Sequence, residues 1–154
     1  MDVADILAPG RTHIGVDVQS RKRALEWISE QLAEHIPALR ARDLFQALQA
    51  RERLGSTGLG EGVAIPHCRI HHDRILGLFV RLARPIDFDA PDGEPVDLLF
   101  ALLVPEGEAE AHLKVLSQLA SAFSNEDLSA RLRVAGSAED LRAILIEGCT
   151  AQDG

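Results

Sequence analysis

Six histidines are the side chains best able to do chemistry near neutral pH, as base, metal ligand or nucleophile: His13, His35, His67, His71, His72 and His112. Three of them crowd around a thiol in Pro66-His67-Cys68-Arg69-Ile70-His71-His72. His67 has the most informative surroundings. Upstream lies Gly55-Ser56-Thr57-Gly58-Leu59-Gly60-Glu61-Gly62, four glycines in eight residues, followed by Val63-Ala64-Ile65 and Pro66. Proline fixes φ and lacks a donor, so it stiffens the chain just before the imidazole. Glycines let backbone N–H groups approach closely enough to hold an anion. A rigid imidazole beside such a loop suits capture of a phosphoryl group on its neutral ring nitrogen. The same spacing also fits a plain surface histidine after a turn.

Other nucleotide chemistry is excluded by the loop itself. A P-loop needs Gly, four residues, then Gly-Lys-Ser/Thr; Gly55 and Gly60 have that gap, but Glu61 stands where the lysine belongs. The dinucleotide fingerprint fails because Ile65 occupies its third glycine position after Gly60-Glu61-Gly62. His112 falls in the first turn of an expected helix after the most apolar strand, where anions are favoured, so it is placed to reach a phosphoryl group on His67; a solvated helical histidine is the alternative. Arg51 closes the helix before the glycine loop and offers a guanidinium fork for phosphoryl oxygens, although a cation at a helix C-terminus also needs no further reason. His67, Cys68, His71 and His72 are together possible zinc ligands, but no second Cys or His pair has zinc-finger spacing. Cys68 as a hydrolase nucleophile lacks an evident Asp or Asn to orient a histidine base.

These side chains need a scaffold, and the hydrophobic pattern predicts an α/β fold: a three-layer α-β-α sandwich with a mixed parallel and antiparallel sheet. Helices are expected at Val3–Leu7, from an N-cap at Ser20 through Ile36, and from Asp43 to about Arg53. Strands are expected at Thr12–Val18, Val63–Ile65, Leu76–Leu82 and, most strongly, Val96–Val104, whose continuous apolar run suits a strand covered on both faces. A helix from about Glu108 to Phe123 should bury Leu113, Leu116, Leu119, Ala120 and Phe123. Asn125 can cap a short helix carrying Leu128 and Leu132, and Ser137 with Asp140 opens the last one. No repeat or composition break divides the 154 residues, so residues 1–154 read as one domain, with its core at about 6–146 and a loose tail over 148–154.

Composition narrows the function classes. Apolar residues make up 46% of the chain, enough for one real core, and aromatics only 4%, so that core must be mostly aliphatic. A formal net charge of −8 disfavours electrostatic binding to nucleic acid or to an anionic membrane surface. The longest apolar run, Leu98 to Val104, is too short to span a bilayer. Two cysteines, Cys68 and Cys149, form no disulfide framework, and Met1–Gly10 lacks a basic leader, so a reduced cytoplasmic protein is expected.

The run Arg51-Glu52-Arg53-Leu54-Gly55-Ser56-Thr57-Gly58-Leu59-Gly60-Glu61-Gly62-Val63-Ala64-Ile65-Pro66-His67 closely resembles the active-site segment of enzyme IIA proteins of the phosphoenolpyruvate-dependent phosphotransferase system, in the fructose/mannitol/nitrogen class. Val96–Pro105 followed by His112-Leu113 resembles the same family, and the likeness extends from about Ile6 to Ile146. The resemblance implies that His67 is the phosphorylated histidine, attacking through Nε2, and that His112 and Arg51 support the phosphoryl group. Ser56 and Thr57 are carried over as possible phosphoryl contacts. No cofactor and no metal is implied. Cys68 departs from the glycine common at that position and can leave an oxidisable thiol beside the nucleophile. A free-standing domain fits the nitrogen-regulatory branch best: a phosphotransferase component with a phosphohistidine intermediate. The resemblance implies that it is charged by a phosphocarrier of the HPr type (its nitrogen-specific form) and that it signals to targets such as potassium-transport or sensor proteins. The alternatives are a sugar-specific fructose or mannitol component passing phosphate to a IIB domain, and a His/Cys metal-binding protein.

Overall fold

The computed structural model describes residues 2–107 and 109–153. Along the chain come α1 (Val3–Ile6), β1 (Thr12–Val16), α2 (Arg21–His35), α3 (Ala41–Leu54), β2 (Gly58–Gly60), β3 (Val63–Ala64), β4 (His67–Ile70), β5 (Leu76–Ile86), β6 (Val96–Pro105), α4 (Ala109–Phe123), α5 (Glu126–Val134) and α6 (Ala138–Asp153). The helix starts read from sequence hold: the Ser20 and Asn125 side chains accept from the Arg23 and Leu128 amides, and Ser137 accepts from Asp140.

The apolar run of β6 lies at the centre of a mixed sheet ordered β1-β5-β6-β3-β2. Strand β5 pairs with it antiparallel, while β3 and β4 pair with it parallel on its other side. Side chains of a strand alternate between faces. Leu98, Phe100 and Leu102 therefore join a core with α1, α4, α5 and α6, and Leu99, Ala101 and Leu103 join a second core with α2 and α3. Both faces are covered, which is why the run shows no polar alternation. The result is the expected three-layer α/β arrangement.

The sheet also explains how the glycine-rich segment is organised. It is not simply a loop: Gly58–Gly60 forms an edge strand antiparallel to β3. Strands β3 and β4 keep one register along β6, with Ala64 opposite Leu99 and His67 opposite Leu102. Pro66 interrupts the ladder because it has no N–H, but its carbonyl still accepts from the Leu102 amide at 2.9 Å. His67 is thus held at a fixed height against β6, whose residues are nearly all buried.

Three local expectations are corrected. Leu113 is 66% exposed; the buried stripe of α4 is Val115, Leu119, Ala122 and Phe123, and at 100° per residue Leu113 lies on nearly the opposite side from Val115. Residues 148–153 are not a loose tail, because α6 continues through Gly148 to Asp153 and buries Cys149. Gly148 is there for close helix packing: a Cβ at that position would lie 2.6 Å from a Leu128 methyl. Strand β5 continues beyond Leu82 to Ile86. The expected helix start at Glu108 lies outside the described residues. No helix among the described residues is long and apolar enough to cross a membrane.

Candidate functional site

Where α3 and α4 meet the β4 end of the sheet, an open cavity of about 550 Å³ is lined by Arg51, Leu54, His67, Arg69 and His112, among others. Strand alternation sorts the crowded segment. His67 and Arg69 are on the accessible side of β4, while Cys68 and Ile70 join the core beneath α2 and α3.

The state of His67 follows from one contact. Its Nδ1 lies 2.7 Å from the Ile65 carbonyl oxygen. A carbonyl can only accept, so Nδ1 carries the proton and Nε2 keeps its lone pair. Burial holds the ring's pKa below the ordinary histidine value; the Ile65 bond opposes this, and the positive charge of Arg51 adds to it, as does that of His112 when protonated. The ring is neutral at neutral pH, with its nucleophilic nitrogen unencumbered.

His112, on α4, meets the His67 ring edge-on, with centroids 5.2 Å apart and planes at 65°. Its pKa is lowered by burial first, then by Arg69 and Arg51. Its Nε2 is closed off from solvent and has no hydrogen-bond partner among the described residues. Buried polar atoms of this kind call for an explanation, and a group arriving on His67 would provide one. Arg51, in the last turn of α3, donates from Nη1 to the Gly55 carbonyl at 2.7 Å. Two guanidinium groups and two neutral imidazoles around one cavity can bind a dianion and offer it a nucleophile.

The structure therefore brings together His67, His112 and Arg51. Ser56 and Thr57 point elsewhere. The Ser56 hydroxyl donates to the Phe88 carbonyl at 2.8 Å and accepts from the Gly58 amide. Thr57 is buried and its hydroxyl donates to Glu52 at 2.8 Å. The zinc grouping is split as well. Cys68 faces the core, with its thiol pushed up to about 12 by burial, while the His71 side chain is fully in solvent near Glu106. Among the described residues no three His, Cys, Asp or Glu side chains converge to hold a metal ion. Cys68 also borders the cavity that holds His67, but the same burial disfavours its thiolate and so slows its oxidation. Two relevant residues escaped the sequence reading. Arg69 would have emerged at i+2 from His67 had that segment been read as a strand. Glu52 carries no signal in sequence, since buried carboxylates are uncommon in a helix end.

The chain is similar to known proteins over most of its length. The family model described as the phosphoenolpyruvate-dependent sugar phosphotransferase system, EIIA 2, matches residues 5–148. The chain is 47% identical over 143 residues to a nitrogen regulatory protein of Pseudomonas aeruginosa, covering 92% of this chain and 93% of that one. A nitrogen regulatory protein of Escherichia coli is 44% identical over 149 residues, covering 96% and 91%. Among solved structures, the nitrogen regulatory protein IIA-Ntr from Neisseria meningitidis superposes with a TM-score of 0.88 at 46% identity, covering 93% of this chain and 98% of that one.

Proposed function

The chain belongs to the EIIA 2 family of the phosphoenolpyruvate-dependent sugar phosphotransferase system, and from that premise we propose that it is a nitrogen-type regulatory relay which accepts a phosphoryl group on Nε2 of His67 from an HPr-like phosphocarrier. The observation that carries this reading is the hydrogen bond between His67 Nδ1 and the Ile65 carbonyl, because it leaves Nε2 as the one basic ring nitrogen.

The chemistry is exchange between two imidazoles. The donor's phosphohistidine ring, protonated on its other nitrogen, presents its phosphorus to His67. The Nε2 lone pair forms a new N–P bond as the donor's N–P bond breaks, and the donor ring departs neutral. His67 keeps its Nδ1 proton and becomes the cationic phosphorylated ring, so its bond to the Ile65 carbonyl strengthens as charge develops. One phosphoimidazolium is exchanged for another, which makes the step readily reversible. Arg51, Arg69 and His112 stabilise the equatorial oxygens, and the rest is positioning. No metal takes part in this scheme. A reaction fed from phosphoenolpyruvate through a carrier puts the protein in the cytoplasm, where its phosphorylation state is read by target proteins. The nitrogen-regulatory branch is preferred over a sugar-specific component because the 44–47% identical relatives carry that name.

The test is labelling by phosphoenolpyruvate, enzyme I and an HPr-type carrier. Wild-type protein should take up one acid-labile phosphoryl group, and His67→Ala none. Undiminished uptake by His67→Ala would overturn the assignment.

A further inference from the structure

Glu52 follows Arg51 in the last turn of α3 but lines a separate cleft, with Arg21 and Asp89, and is only 4% exposed. Its hydrogen bonds all come from a single residue, the Thr57 amide at 3.1 and 3.2 Å and the Thr57 hydroxyl at 2.8 Å, and it lies in the positive fields of Arg21 and Arg51. Burying a carboxyl group is costly; burial pushes the Glu52 pKa up, and the two Thr57 hydrogen bonds oppose it. The link it grips, Gly55–Thr57, joins α3 to β2, and every residue of that link is tied. Gly55 offers its carbonyl to Arg51, Ser56 is bonded to Phe88, and Thr57 is held by Glu52. The Arg51 guanidinium is therefore anchored to a carbonyl two residues from the Glu52 clamp.

We propose that Glu52 is a positioning residue for phosphoryl transfer: by clamping Thr57 it fixes the Gly55–Thr57 link, and through the Gly55 carbonyl it holds Arg51 beside His67. The Ser-Thr pair of the glycine-rich motif then acts as scaffold, and its hydroxyls orient the loop instead of touching the phosphoryl group. This inference rests on His67 being the acceptor.

Single-turnover transfer from a phosphorylated HPr-type carrier, measured for wild type, Glu52→Leu, Glu52→Gln, Thr57→Val and Thr57→Ser, separates the two claims. Wild type is expected to be labelled at His67. Thr57→Val and Glu52→Leu should lower the maximal transfer rate about 10- to 100-fold per folded molecule, the range for a misplaced catalytic group, with the half-saturating carrier concentration unchanged. Thr57→Ser keeps both hydrogen bonds and should stay within about twofold of wild type. Glu52→Gln removes the charge but keeps the Oε1 acceptor that takes both Thr57 bonds, so it should transfer at or above the wild-type rate. Unlabelled wild type would overturn the reading of His67 and this inference together. Labelled wild type with Glu52→Leu or Thr57→Val at or above the wild-type rate, or altered only in carrier affinity, or with Glu52→Gln slowed as much as Glu52→Leu, would overturn the inference alone.

Discussion

Replacing His112 by leucine should make the unphosphorylated protein more stable and a poorer phosphoryl acceptor. The buried Nε2 of His112 has no partner among the described residues, and an unsatisfied buried polar atom costs about 1–3 kcal/mol. Leucine fills similar space without that atom. It forfeits the edge contact with His67, for which aromatic pairs suggest about 0.5–1.5 kcal/mol. The balance is about 1 kcal/mol in favour of the variant, which for a domain of this size is a rise in Tm of about 2–4 °C. Transfer moves the other way. A hydrogen bond from His112 to a charged phosphoryl oxygen contributes about 1.5–3 kcal/mol, so its loss slows transfer about 10- to 150-fold. Calorimetry of the unphosphorylated protein and quenched single-turnover transfer read the two effects separately. Phosphorylation should raise the Tm of wild type and leave that of His112→Leu nearly unchanged. A variant with a lowered Tm and wild-type transfer would refute the assignment of that nitrogen to the phosphoryl group.

Other expectations follow from the same geometry. Burial lowers the pKa of His13, His67 and His112, so just below the ordinary histidine value of about 6.5 the unfolded chain binds more protons than the folded one. Stability should then be flat above that pH and fall as pH drops through it, and urea unfolding from pH 8 to 5 should show a shallower slope for His67→Ala. With its pKa held near 12, Cys68 should react with iodoacetamide at pH 8 roughly 1,000-fold more slowly than a free thiol; rapid alkylation in a Cys149→Ser background would contradict its place in the core. Arg133 joins α5 to the Asp97 carboxylate at 3.0 Å and to the Glu61 carbonyl at 2.7 Å. Arg133→Ala should cost about 1–2 kcal/mol and speed amide exchange in the β2–β3 hairpin, and unchanged exchange there would rule out the strap.

The parts of the site that were legible in sequence are those fixed by local chemistry. Pro66 before His67, glycines before that, and a histidine one turn into the helix after β6 are patterns visible without a fold. What stayed hidden depends on distant partners. Ser56 and Thr57 have the right atoms for a phosphate loop, and only the tertiary positions of Phe88 and Glu52 show their hydroxyls to be occupied. The strand at His67–Ile70 was obscured because proline breaks the alternation that marks a strand, although register with β6 carries straight across it. Leu113 keeps the helical spacing from Leu116 and Leu119, but the buried stripe of α4 is centred on Val115, Leu119 and Ala122, and that phase turns Leu113 to solvent. Gly148 looks like a helix stop until Leu128 is found against it.

The most direct test is nitrogen-detected NMR of His67 before and after reaction with a phosphorylated carrier. The free ring should be neutral at pH 7 with its proton on Nδ1, and the phosphorus should then appear on Nε2. A proton on Nε2 in the free protein, or phosphorus on Nδ1 or on another histidine, would contradict the reading of the Ile65 contact on which the mechanism stands.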